Sequence, residues 1–158
     1  MAAQPQTGRW AFLVYRLPRE PSTPRIALWR KLRKLGAVQL VDGVVALPLS
    51  DRNREQLEWS AQEVADAGGD ASVWLAEPTP REHGRDLERI VRAASVAEYT
   101  RIREAAAEAA GSARTRSLRT LRAALHDAAG RDHFAVAERA EAERAVEALA
   151  DAIEATHP

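Results

Sequence analysis

The chain has 158 residues, 46% of them hydrophobic, with 23 basic and 23 acidic side chains and no cysteine. That length buries a real core in one domain, or in a small domain with an appendage, and the balanced charge removes any global pull on nucleic acid or acidic lipid. Without cysteine there is no disulfide framework, no thiolate metal site and no thiol nucleophile.

The N-terminal stretch Met1–Gly8 lacks the apolar core of a signal peptide, and no apolar run reaches the ~18 residues of a membrane span, so a cytoplasmic protein with no membrane partner is expected. Trp10–Leu17 is an almost wholly apolar run ending at Pro18, about the length of a buried strand. A loop carrying Pro21 leads into the stretch Ser22–Ala37, which reads as a helix with Thr23 as its cap, Pro24 at its first position and Gly36 as its exit. At 100° per residue Ile26, Leu28, Trp29, Leu32 and Leu35 spread over one face. Arg30, Lys31 and Lys34 fall opposite, Arg33 lies on the border, and Arg25 projects on the apolar side of the first turn.

Val38–Val41 and Val44–Leu47 flank the turn pair Asp42-Gly43 and read as a hairpin, which Pro48 ends. Asp51 is placed to cap a helix whose stripe is Leu57, Ala61, Val64 and Ala65, and Gly68-Gly69 stops it. Ala71–Leu75 is a last strand, closed by Pro78 and Pro80. The order β-α-β-β-α-β predicts a ferredoxin-like domain over residues 8–78, one antiparallel sheet with both helices on one face. Trp59 lies off its helix's stripe and is expected to be covered by the tail or by a second subunit.

After Pro80 alanine and charge dominate, and residues 82–156 predict an all-helical extension, making the whole an α+β protein. Leu87, Ile90, Val91 and Ala94 form one stripe. Val96, Tyr99, Ile102, Arg103 and Ala106 continue it past a break near Ser95. Gly111-Ser112 is a hinge, Leu118, Leu121 and Leu125 mark a helix ending before Gly130, and a final helix from about Asp132 carries Phe134, Ala142, Val146, Leu149 and Ile153. Three- and four-residue intervals make an apolar seam that packs on itself, on the sheet or on a second copy.

Two acid-free basic segments stand out in this neutral chain. Arg30, Lys31, Arg33 and Lys34, and separately Arg114, Arg116, Arg119 and Arg122, are candidates for phosphate backbones; a solvated helix face is the alternative. Arg25 reaches toward Glu20 as an ion pair, or with Arg16 forms a site for a tetrahedral dianion. His83, His126, His133 and His157 have no metal-ligand spacing, so no metal or cofactor is expected. There is no phosphate-binding glycine loop and no nucleophile elbow, so no enzymatic activity is expected either.

Trp10 through Pro18, Pro21-Ser22, Arg25, Leu28-Trp29-Arg30, Leu32, Leu35-Gly36-Ala37-Val38, Val44 and Leu47-Pro48 together resemble the N-terminal domain of the chromate-resistance regulator ChrB. The similarity continues through Gly68-Gly69, Glu98-Tyr99 and Arg119–Leu121 to Asp132-His133-Phe134. The opening half also resembles the central domain of the phenylacetate repressor PaaX, similar in fold to the small CRISPR adaptation nuclease. The resemblance implies a ferredoxin-like domain with a helical extension, in proteins that control chromate-responsive transcription; with the basic segments it leads to the expectation of a regulator of ChrB type that binds DNA, as a homodimer. Longer ChrB proteins carry a further C-terminal domain, which is not expected here. The nuclease relatives place an acidic metal ligand where this chain has Arg16, so metal-dependent cleavage is not implied. Two other readings stand beside this one: a protein-interaction or oligomerisation module with no DNA contact, and a sensor of chromate or sulfate at Arg16 and Arg25.

Overall fold

A computed structural model describes residues 5–111 and 115–156. Arg114 lies outside the described residues, as do Ser112 of the expected hinge and His157. Within them the chain forms, in order, β1 (Trp10–Arg16), α1 (Thr23–Leu35), β2 (Val38–Val41), β3 (Val44–Pro48), α2 (Asp51–Asp66) and β4 (Asp70–Ala76). Three helices follow, α3 (Arg81–Ala110), α4 (Thr115–Arg131) and α5 (Glu138–Thr156). Two compact units result, Met1–Val91 and Arg92–Pro158, so α3 belongs partly to each.

In the first unit the strand order is β2-β3-β1-β4, and every neighbouring pair is antiparallel. This is the ferredoxin-like split βαβ arrangement that the element order predicts. Leu13 sits at the centre, opposite Val45 on one side and Val73 on the other. Because strand side chains alternate, Ala11, Leu13, Val45 and Leu47 share the helix-facing side, where Leu28 and Leu32 of α1 and Leu57 and Val64 of α2 close the core. On the other side Trp10 is buried, and Gly84 of α3 lies against its indole and Pro78. Farther along that side Val14 and Trp74 are exposed.

The helix ends differ in detail from the sequence expectation. Ser22, not Thr23, occupies the N-cap of α1, and its side chain makes no capping bond. Gly36 is left-handed, and the Gly36 and Ala37 N–H groups donate to Arg33 and Leu32 carbonyls at 3.0 and 3.1 Å, closing the last turn. Ser50, not Asp51, caps α2: its extended backbone lets the hydroxyl accept from the Asn53 N–H at 3.1 Å. Asp51 instead becomes a first-turn acid, favourable to the helix dipole. The buried Asn53 amide donates to the Pro48 carbonyl at 2.8 Å, tying the start of α2 to the end of β3.

In the second unit α3 from Arg92 onward, α4 and α5 enclose a core that includes Tyr99, Ile102, Leu121, Val136, Val146 and Leu149. The apolar seam therefore packs on itself. Three expectations are corrected. α3 does not break at Ser95, which is buried within a continuous helix. α4 runs through Gly130 to Arg131, and α5 begins only at Glu138, leaving Phe134 in the connection. The cause is Asp132. One carboxylate oxygen accepts from the Val136 N–H and the other from the Tyr99 hydroxyl, each at 3.2 Å, while Ala135 turns left-handed at φ 53°. A side chain that bonds its own backbone four residues on stabilises a turn in place of a helix start.

Candidate nucleic-acid interface

The basic helix is seated by Leu28 and Leu32, which are buried, and by half-buried Leu35. Lys31 belongs to this inner side too. Its ammonium pairs with Glu63 of α2 at 2.8 Å, so its stem lies between the helices and its charge is neutralised. That seating turns two residues expected in the core outward: Ile26 is 48% and Trp29 53% exposed. The solvent side of α1 therefore carries Ile26, Trp29, Arg30, Arg33 and Lys34, with exposed Arg25 at its start. Arg33 lies over the Trp29 ring, 4.8 Å from its centroid, a contact worth about 0.5–1 kcal/mol at an exposed site.

Arg25, Arg30, Arg33 and Lys34 form no ion pair among the described residues. Arg33 and Lys34 stand in the last turn, where the helix dipole favours cations. Arg25 stands in the first, where the dipole opposes it. The expected Arg25–Glu20 pair is not formed, and Arg25 is exposed, not turned inward. Its field reaches Tyr15, whose phenol burial pushes up and the Arg25 charge pulls back.

Arg16 and Arg25 are not brought into one pocket. Arg16 follows Trp10, Phe12 and Val14 on the side of the sheet away from α1, and pairs across the register with Asp70 at 3.1 Å. Both members are almost fully exposed, so the pair adds little stability. On α4, Arg116, Arg119 and Arg122 are exposed at three-residue spacing and form no ion pair among the described residues. Trp59 is 59% exposed on α2.

The second unit gathers residues that stand far apart in sequence. Glu98 and Arg131 form an ion pair, Tyr99 donates to Asp132, and Arg92 lies 4.8 Å from the Phe134 ring centroid. These bonds are spent on the α4–α5 connection. Among the described residues no three His, Asp or Glu side chains gather as a metal site, and no helix is long and apolar enough to cross a membrane.

A four-stranded ferredoxin-like unit carrying a helix with four unpaired cations, followed by a unit of packed helices, defines an α+β protein. The chain belongs to the family described as "Protein ChrB, N-terminal", which matches residues 25–110, more than half its length. It is 36% identical over 75 residues to Protein ChrB of Cupriavidus metallidurans, an overlap of 48% of this chain and 22% of that protein. The chain thus spans well under half of the curated relative it matches. No solved structure matches it.

Proposed function

We propose that this chain is a non-enzymatic, cytoplasmic regulator linked to chromate resistance, and that it binds duplex DNA through the solvent side of α1. Membership of the ChrB N-terminal family supports the chromate link. The observation that carries the DNA reading is the unpaired state of Arg25, Arg30, Arg33 and Lys34 on one exposed helix. Cations already neutralised by carboxylates release no counterions on binding, whereas these four do. A 13-residue helix is about 20 Å long, enough to follow several phosphates along a groove edge. Arg116, Arg119 and Arg122 supply a second row of the same chemistry. The ion pair at Arg16, and its separation from Arg25, favour this reading over an oxyanion sensor at those two residues.

Fluorescence anisotropy with a labelled duplex from the host's chromate-resistance promoter tests the reading. Binding should weaken steeply with salt. The Arg30→Ala, Lys34→Ala double variant should reduce the slope of log K against log salt by about 2, at about 0.9 for each phosphate no longer neutralised. Lys31→Ala should leave that slope unchanged, since Glu63 already holds its charge. An unaltered slope in the double variant removes α1 from the interface, and leaves a protein-interaction surface built on Ile26 and Trp29 as the second reading.

A further inference from the structure

The two edges of the sheet are not alike. β2 has four residues and a register irregularity between Gln39 and Val41, and it turns back at Asp42-Gly43. Shortness and bulging are devices that blunt an edge against pairing. β4 has neither. Its seven residues run in unbroken register with β1, and its one charged residue, Asp70, sits at the end and is paired with Arg16. Trp74 and Leu75 are 61% and 43% exposed. The backbone of Asp70–Ala76 bonds to no described element other than β1.

We propose that β4 is the seam at which two copies of this chain pair, edge to edge and antiparallel, about a two-fold axis through Val73. The strand's own sequence selects both the occupant and the axis. Antiparallel pairing about Val73 sets Ser72 of one copy against Trp74 of the other on the outer side, and Ala71 against Leu75 on the helix side. Trp74 and Leu75 then each meet a small side chain, which suits facing Cβ atoms about 4.5–5.5 Å apart. Moving the axis to Trp74 would set indole against indole. Within one copy the Trp74 indole already donates to Ser72 Oγ at 2.8 Å, so the two groups are chemically matched across the seam as well.

The pairing extends the sheet to eight strands and satisfies the outward amide and carbonyl groups of β4. It is isologous, and therefore closes at two copies. The axis stands perpendicular to the sheet, so α1 and α2 of both copies lie on one side of it. The proposal is independent of the DNA reading: neutralising α1 should abolish its phosphate contacts without changing the oligomeric state.

Sedimentation equilibrium on the full chain tests it. The expected mass is about twice the 17.3 kDa monomer. Trp74→Lys replaces an exposed side chain and should leave the circular dichroism unchanged while raising the dimer dissociation constant at least tenfold. Val73→Cys, the sole cysteine of its chain, should oxidise to a covalent dimer. Leu75→Cys, which faces Ala71 and not itself, should not. A monomer at every concentration up to hundreds of micromolar overturns the proposal, as does a dimer that Trp74→Lys leaves intact. No link at Val73→Cys, or one at Leu75→Cys instead, overturns the axis.

Discussion

Gly43→Ala and Gly69→Ala should each destabilise the sheet unit by about 2–4 kcal/mol, for different reasons. Gly43 turns the β2–β3 hairpin at φ 78°, a region that costs a residue with a Cβ roughly 1–2 kcal/mol. A Cβ there would also stand 2.4 Å from the Tyr15 carbonyl oxygen, and the Tyr15 N–H donates to the Gly43 carbonyl at 2.8 Å. Gly69 has no left-handed backbone, and its constraint is space alone. A Cβ would come within 2.3 Å of the Arg16 carbonyl oxygen, 2.9 Å of Val64 and 3.1 Å of Leu17. Backbone cannot swing aside as a flexible side chain can, so β1 and β4 would have to part. Gly130→Ala should have the opposite sign. It lies in the last turns of α4 with nothing within 4 Å of an added Cβ, and should stabilise the helical unit by about 0.5–1 kcal/mol. Thermal melts of the three variants check the order, and a Gly69→Ala melt indistinguishable from the parent would show that the close approach of β1 is relieved at no cost.

The sheet and its order are legible in the sequence because the information is local. Trp10–Tyr15 is apolar on both sides, Asp42-Gly43 is a hairpin signal, and breakers at Pro18, Gly36, Pro48, Gly68 and Pro78 punctuate the elements from β1 to β4. The seating of α1 is not local. Counting apolar side chains places Ile26 and Trp29 inward, but the sheet accepts only the stripe through Leu28, Leu32 and Leu35, and the stem of Lys31 completes it in place of an apolar residue. The candidate cations can be named from the sequence, whereas their neutralisation cannot. Lys31 meets Glu63 and Arg16 meets Asp70 across 32 and 54 residues of chain, so one member of each candidate set loses its free charge to a partner that no spacing rule reaches. In the second unit the spacing of Phe134 to Ala142 and Val146 fits a helix. The hydrogen bonds of Asp132 decide otherwise, and the presence of Glu98-Tyr99 opposite it is visible only in three dimensions.

Asp132→Ala should cost the helical unit about 2–4 kcal/mol, and about half of that loss should vanish when Tyr99 is also replaced by Phe. The Tyr99 side chain is 1% exposed, and the Asp132 carboxylate accepts its hydroxyl proton and the Val136 N–H together. Removing the carboxylate strands both donors, at about 1–3 kcal/mol for each buried group left unsatisfied. Removing the hydroxyl as well restores the balance at one of them, so a double-mutant cycle should show coupling of about 1–2 kcal/mol. The same site fixes the alkaline limit of stability. Burial, and then the Asp132 charge, push the Tyr99 phenol well above its ordinary range. An unfolded chain releases that proton near pH 10, while the folded chain keeps it. Above about pH 10 the unfolded state therefore binds fewer protons, and the free energy of unfolding falls as pH rises, by up to about 1.4 kcal/mol per unit. Below about pH 10 the contribution is fully present. Tyr99→Phe should flatten this limb for the helical unit, leaving the weaker alkaline dependence of Tyr15 in the sheet unit. Denaturant unfolding of parent and variant between about pH 9 and 11, either side of the ordinary tyrosine range, measures the difference; equal slopes would mean that the Tyr99 hydroxyl ionises as readily in the folded chain as in water.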